Sequence, residues 1–379
     1  MKRASKSRHG DRRVALVLQG GGALGAYQAG VYQALHEHDL TPDWVVGTSI
    51  GAINAALIAG NAPSARLPRL EEFWHSVARD DLLDMERVPD TLRRSNTWLA
   101  SLDAGMRGVP GFFSPRLFNP FAAGMAVAPE SASFYDTQEL SETLARLVDF
   151  PHLGSTDAMR LTVSAMRVTS GELVRFDSAR GSLGVEHIMA SGALPPGFPP
   201  VRVDGELYWD GGLYSNTPLD IVLDDEPRTD TLCFMVDLWR AEGAEPTTLE
   251  EVQTRQKDVM FASRSNQHIE DYRRTHDLRR AVQALHARLP AKHKDDPELQ
   301  KIAALGCDTT MHIVRLPYPG KDWHMASKDI NFSRGSIQWR WDRGYRDAGR
   351  AIEQAGWLAP VPSHCGVVVH ELAREIDHD

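Results

Sequence analysis

The chain has 379 residues, 42% of them hydrophobic and 25% charged, a balance that fits a folded, enzyme-sized chain and excludes disorder, collagen-like repeats and a many-helix membrane protein. Lys plus Arg (42) against Asp plus Glu (51) leaves a formal charge of −9, so there is no global basic field to bind nucleic acid. The length predicts one large domain with an extension.

In the first 13 residues, Lys2, Arg3, Lys6, Arg8, Arg12 and Arg13 face Asp11 alone. Such an arm is a solvated, flexible tail, with peripheral contact to anionic lipid as the alternative. The apolar run 14–18 is too short for a signal-peptide core or a membrane span, so it reads as a buried parallel strand, and the cytoplasm is the expected location, with attachment to a membrane surface as the alternative. A glycine-rich turn at 20–25 leads into a helix carrying Ala26, Val31, Ala34 and Leu35. Trp44, Val45 and Val46 form a second short strand, and the turn 47–51 feeds a helix over 52–59. Two strand-turn-helix units in succession open an α/β sheet.

Residues 64–106 are amphipathic, with Leu67, Leu70, Phe73, Trp74 and Val77 at helical spacing. Gly, Pro and Phe then dominate 108–130, which predicts a long loop. Its Phe112, Phe113, Phe118 and Phe121 either pin it to the core or line an acyl-chain site. Strands are expected at 161–168, 173–176 and 207–209, a short helix at 185–190, and a central parallel strand at 232–238. The core domain is expected to span 14–240. A linker at 241–248 opens an extension, 241–379, expected to be mostly helical, with a charged helical stretch at 249–289 and a returning strand at 311–316. Arg273, Arg274, Arg279 and Arg280 read as a solvated helix face, with an acidic head group as the alternative ligand. Cys233, Cys307 and Cys365 are widely spaced and lack a CxxC pair, which predicts reduced thiols, neither disulfide nor zinc.

The chemistry concentrates in three short motifs. Gly47-Thr48-Ser49-Ile50-Gly51 is a GxSxG between a strand and a helix, a turn that exposes a serine hydroxyl and aims a helix N-terminus at developing negative charge. Ser49 is therefore a candidate nucleophile. GxSxG alone arises by chance in roughly one chain in seven, so context must add to it. The run Gly20-Gly21-Gly22-Ala23-Leu24-Gly25 follows a strand, and its bare N–H groups can approach an oxyanion, with Gly21 and Gly22 as candidate donors. Asp210, followed by Gly211 and Gly212, can accept the serine proton directly, provided a dry site raises its pKa.

In this order and with these flanks, the three motifs resemble the patatin-like phospholipase family: a glycine-rich oxyanion loop, a GxSxG elbow and an aspartate in a DG[AG] motif. The likeness covers roughly residues 14–240. It implies a three-layer α/β/α fold around a mainly parallel sheet, with a largely helical C-terminal extension. It also implies hydrolysis of lipid acyl esters by a Ser49–Asp210 dyad through an acyl-serine, with no metal or organic cofactor. Gly20, Gly21, Gly22 and Ile50 become the oxyanion hole, while Gly25, Gly47, Gly51, Gly211 and Gly212 shape the turns. Leu24 departs from the Arg or Lys that many members carry in the glycine loop, so the head group of the substrate stays open, and so does the oligomeric state.

Three other readings compete. A dinucleotide fingerprint at Gly20, Gly22 and Gly25 lacks the acidic residue that should end the second strand. A Ser-Asp-His hydrolase would use His312, His324 or His364 as its base. A non-catalytic lipid- or protein-binding module would keep the fold without turnover. Asn54 and Asn216 are candidates to support the site by hydrogen bonding, and Trp323, Trp339 and Trp341 read as packing residues of the extension.

Overall fold

The computed structural model describes residues 12–80, 90–116, 124–262, 265–320, 326–362 and 365–372, with the backbone alone at 90–96. β1 (Arg13–Leu18), α1 (Ala26–Glu37), β2 (Trp44–Gly47) and α2 (Ile50–Ala59) are the two expected strand-turn-helix units. They are followed by α3 (Arg66–Ser76), α4 (Asp90–Arg107), a small antiparallel pair of β3 (Ser114–Pro115) and β4 (Tyr135–Asp136), and α5 (Gln138–Leu147). Next come β5 (Arg160–Arg167), β6 (Leu173–Asp177), α6 (Val185–Ser191), β7 (Val201–Val203), β8 (Glu206–Asp210), α7 (Leu219–Leu223) and β9 (Thr231–Asp237). The rest of the chain supplies α8 (Leu249–Phe261), α9 (Ser265–Arg288), α10 (Ala291–Lys294), α11 (Pro297–Ala303), β10 (Met311–Pro317), α12 (Arg334–Gln354) and β11 (Val367–Glu371).

Nine strands form one mixed sheet in the order β11-β10-β9-β1-β2-β5-β8-β7, with β6 also paired to β5. The run from β11 to β5 is parallel, and β6, β7 and β8 are antiparallel. Because strand side chains alternate between faces, β1 divides its residues between two cores. Val14, Leu16 and Leu18 join α1, α2 and α12 in one. Ala15 and Val17 join α7 and α9 in the other. The result is a helix-sheet-helix sandwich, the α/β/α fold expected.

The boundary expected at residue 240 does not coincide with an edge of the sheet. β10 pairs with β9 and β11 with β10, so the C-terminal region adds two parallel strands to the sheet as well as helices. The boundary at residue 13 moves as well: Arg13 opens β1, with its guanidinium 2.5 Å from Asp225 and 4.9 Å from the centre of the Trp44 ring. Residues 1–11 of the basic arm lie outside the described residues, as do Phe118, Phe121 and Trp323. Phe112 and Phe113 are buried against Phe73, Tyr135, Phe198 and Phe332. They pin the loop. On α9, Arg273 pairs with Glu270 at 2.7 Å, and Arg280 donates to the Thr310 hydroxyl at 2.7 Å. Among the described residues no helix is long and apolar enough to cross a membrane.

α12 lies directly on α1, and two glycines permit it. A Cβ at Gly30 would fall 1.9 Å from the Trp341 carbonyl oxygen, and one at Gly344 would fall 2.0 Å from the Tyr27 carbonyl oxygen. Around this crossing the Tyr27 hydroxyl donates to Asp347 at 3.0 Å, Trp341 Nε1 to Gln33 at 2.6 Å and the Tyr345 hydroxyl to Glu37 at 2.7 Å. The obstruction is backbone on both sides, so no side-chain rotation can relieve it. Gly344→Ala should therefore lower unfolding stability by about 3 kcal/mol, whereas Gly349→Ala, which has open space around it on the same helix, should be neutral or mildly stabilising. Urea unfolding of the two variants checks the difference.

Candidate active site

β1 and β2 run in register, Leu18 opposite Gly47, so the two chains leave the carboxyl edge of the sheet at the same level. The Thr48 N–H still donates to the Leu18 carbonyl at 3.2 Å. The chain then reverses sharply through Ser49, whose φ of 58° and ψ of −126° are unusual for a residue with a side chain. Such a conformation costs on the order of 1–3 kcal/mol and persists only where neighbours hold it. Here the Ser49 N–H is held by both the carbonyl and the hydroxyl of Ser191, each at 3.1 Å. The flanking glycines are required sterically: a Cβ at Gly47 or Gly51 would meet the Gly51 or the Leu18 carbonyl oxygen, each at 2.2 Å. α2 begins at Ile50, immediately behind the serine.

Asp210 ends β8 beside β5, 1% exposed, with its own N–H bonded to the Ala193 carbonyl at 3.0 Å. Its carboxylate accepts the Gly212 N–H at 2.7 Å and shares the lining of one small cavity with Ser49, whose hydroxyl favours the ionised form. Burial pushes the carboxyl up to about 7, against the opposing pull of those two donors. The two motif glycines leave no room for larger residues: a Cβ at Gly211 would lie 2.5 Å from the Ser164 carbonyl oxygen, and one at Gly212 would lie 2.8 Å from Asn216 Oδ1.

The glycine loop lies on the other side of the serine. Gly20 is not free to bind an oxyanion, contrary to expectation, because its N–H donates to the Asn216 carbonyl at 3.1 Å. Its carbonyl accepts Asn216 Nδ2 at 3.1 Å and Trp239 Nε1 at 2.7 Å. By contrast, the N–H groups of Gly21, Gly22 and Ile50 have no acceptor among the described residues. Gly22 has φ +54°, and a Cβ there would fall 2.3 Å from the Asp329 carbonyl oxygen. A Cβ at Gly25 would strike Ile50 at 2.5 Å, and Leu24 is fully buried in the core.

Both candidate asparagines support this loop. Asn54, fully buried, donates to the Gly25 carbonyl and to Gln28 at 2.9 Å each while accepting Trp74 Nε1 at 3.0 Å. Several residues that no motif marks also converge here. The Gln19 amide donates to Thr217 at 2.7 Å and to the Phe261 carbonyl at 3.1 Å, and accepts the N–H groups of Leu238 and Trp239. A polar residue directly after an apolar run is the one sequence signal that Gln19 gave. Phe261 and Asp329 come from the C-terminal region, where composition alone offered nothing to single them out.

Gly20, Gly21, Gly22, Ser49, Leu194, Asp210, Gly212, Asn216, Trp239, Phe261 and Asp329 enclose a cavity of about 40 Å³. That is room for roughly three waters, so a chain of methylenes enters only if a lining group moves. A wider cleft, about 1050 Å³, lies at the carboxyl ends of β9, β10 and β11 and shares Trp239 with the serine cavity. Its prominent charges are paired, as where Arg315 lies 2.9 Å from both Asp237 and Glu371. Among the described residues, a strained serine, a desolvated carboxylate and unbonded N–H groups meet in the small cavity. No histidine lines it among the described residues. His312 is buried on β10 with Nδ1 3.0 Å from His370 Nε2, and His324 and His364 lie outside the described residues.

Comparison with known proteins follows the same residues. The family model described as patatin-like phospholipase matches residues 16–223, and a second, described as patatin phospholipase, matches 259–364. Mouse patatin-like phospholipase domain-containing protein 7 is 30% identical over 209 residues, 55% of this chain and 12% of its own length. An uncharacterized NTE family protein of Mycobacterium tuberculosis is 29% identical over 233 residues, 60% of this chain and 31% of its own. The chain thus spans less than a third of the length of either relative. VipD from Legionella pneumophila aligns over 91% of this chain and 67% of its own, with a TM-score of 0.41 and 15% identity. The first family model covers more than half of the chain and takes in the glycine loop, the GxSxG turn and the Asp-Gly-Gly motif; the chain belongs to the patatin-like phospholipase family.

Proposed function

We propose that this protein is a serine acyl hydrolase that cleaves lipid acyl esters through Ser49 and Asp210. The observation that carries the reading is that Ser49, on its strained turn, and Asp210, a buried carboxylate whose pKa is raised to about 7, line one small cavity. An ordinary aspartate is too weak a base for a serine hydroxyl, and desolvation narrows that gap. The Ser49 oxygen attacks the acyl carbonyl while its proton passes to Asp210. The oxyanion that forms on the carbonyl oxygen is held by the N–H groups of Gly21, Gly22 and Ile50. As the tetrahedral intermediate collapses, Asp210 returns the proton to the departing alcohol and leaves an acyl-serine. Water then attacks the acyl-serine, giving its proton to Asp210, and the released Ser49 takes that proton back.

Family membership and the lipid-directed names of the relatives support a lipid as the acyl donor. No basic side chain lines the serine cavity among the described residues, so the reading commits to the ester carbonyl and leaves the head group unspecified. In the triad reading, His312 would have to reach Asp210, yet its imidazole faces His370 instead.

Ser49→Ala should abolish labelling by a fluorophosphonate probe and reduce ester hydrolysis by more than about 10⁴-fold. Asp210→Asn should lose turnover comparably while keeping its fold; release of p-nitrophenol from butyrate and longer esters measures both. The wild-type kcat/KM should fall as pH drops through about 7, because only the ionised Asp210 accepts the proton. A profile flat from pH 5 to 9 would exclude Asp210 as the base.

The same desolvation has a stability consequence with the opposite sense. The folded carboxyl titrates at about 7 against 3.8 for an ordinary one, so the folded state binds the extra proton between these values and stability falls as pH rises across that window. Asp210→Asn removes the dependence. The variant should gain on the wild type between pH 4 and pH 8, by up to on the order of 4 kcal/mol, measured by thermal unfolding at the two pH values.

A further inference from the structure

Behind the glycine loop sits a cation that the reaction as described above does not use. Arg340, from the middle of α12, is fully buried. Its Nη1 donates to the Ala23 carbonyl at 3.1 Å and the Asn331 carbonyl at 2.9 Å, and its Nη2 to the Lys328 carbonyl at 2.8 Å. The guanidinium also lowers the pKa of the neighbouring buried Tyr318 against the pull of burial. These partners are neutral oxygens, and no carboxylate among the described residues pairs with it. Burying a guanidinium among neutral carbonyls is costly, so its position close to the oxyanion loop calls for a physical account.

The connectivity of the loop supplies one. The Ala23 carbonyl that accepts Arg340 belongs to the same peptide group as the Leu24 N–H. That N–H donates to the Gly21 carbonyl at 3.1 Å. The Gly21 carbonyl in turn shares its peptide group with the Gly22 N–H, one of the three unbonded donors beside Ser49. The order is therefore guanidinium, peptide 23–24, peptide 21–22, oxyanion. In such a chain each bond polarises the next in the same sense: pulling electron density toward one carbonyl oxygen makes the N–H of its own peptide a better donor. The loop has no cation of its own to do this, since Leu24 is buried in the core.

We infer that Arg340 is a positioning residue for the oxyanion hole, fixing the turn 21–24 and polarising the Gly22 N–H through two peptide groups. The inference rests on the hydrolase reading above, because it assigns Gly22 as an oxyanion donor. Negative charge on the substrate oxygen grows only as the tetrahedral state forms, so the contribution of Arg340 appears in kcat and not in KM.

The test is Arg340→Gln, Arg340→Met and Arg340→Lys, with kcat expressed per site titrated by the fluorophosphonate, so that unfolded molecules do not count. Affinity for an alkyl trifluoromethyl ketone, which adds to the serine as an oxyanion, is measured beside that for the matching methyl ketone. Gln and Met should lower kcat roughly 10- to 100-fold and weaken the trifluoromethyl ketone in proportion, with KM and methyl ketone binding within about threefold. Lys keeps the charge but cannot reach three carbonyls at once, and should fall between these and the wild type. It also serves as the test if the neutral variants do not fold. A titrated variant whose kcat and trifluoromethyl ketone affinity stay within threefold of wild type overturns the inference, as does equal loss of both ketones. Failure of the hydrolase reading is visible separately, as a wild type that neither labels nor turns over or a Ser49→Ala protein that still does.

Discussion

The register of two neighbouring parallel strands is the constraint on which the rest of the site depends. With Leu18 opposite Gly47, both chains turn off the sheet at one level. The glycine loop and the serine turn then lie side by side. The contact is backbone on backbone: the Thr48 N–H on the Leu18 carbonyl, and Gly51 so close to that carbonyl that no Cβ fits. A slip of one residue would turn the β1 side chains to the opposite faces of the sheet and carry the glycine loop away from Ser49.

Onto that frame the structure adds a carboxylate that is almost entirely buried. Asp210 is delivered by an antiparallel strand on the far side of β5, and its burial is what makes it chemically unusual. The Gly212 N–H and the Ser49 hydroxyl stabilise the ionised form, yet desolvation outweighs them and lifts the pKa to about 7. Close packing secures this dryness. Glycines stand where the chain passes within van der Waals range of Ser164 and Asn216, and the cavity left over is only about 40 Å³.

The roof of that cavity comes from a region with no catalytic motif. Phe261 ends α8, and its carbonyl is gripped by Gln19 and Asn216. Asp329 stands against Gly22 and pairs with Lys257 at 2.6 Å, while the neighbouring Lys328 pairs with Asp258 at 2.5 Å. These crossed ion pairs tie α8 to the 3-10 turn Lys328–Ile330, and Arg340 ties that turn to the glycine loop. The C-terminal region is therefore built into the sheet, into the α1-α12 layer and into the wall of the serine cavity.

Local chemistry made much of this legible in the sequence. Short apolar runs announced β1, β2 and β9, the first two ending in glycine turns, because a strand buried on both faces needs an uninterrupted apolar stretch. Ser49, Asp210 and their glycines stood out because a strained turn and a close approach each tolerate few residue types. Asn54 and Asn216 were within reach of the same logic. Long-range packing decided the rest. Gly20 looked equivalent to Gly21 and Gly22 until the Asn216 carbonyl, 196 residues away, took its N–H. Gln19, Trp239, Phe261, Asp329 and Arg340 carry no motif, since each matters only through a partner distant in the chain. The sequence by itself determined which groups are able to react, because that is a property of residue type and local backbone. The tertiary structure alone decided which N–H groups remain free and how dry the carboxylate is, because both depend on what the rest of the chain places against them.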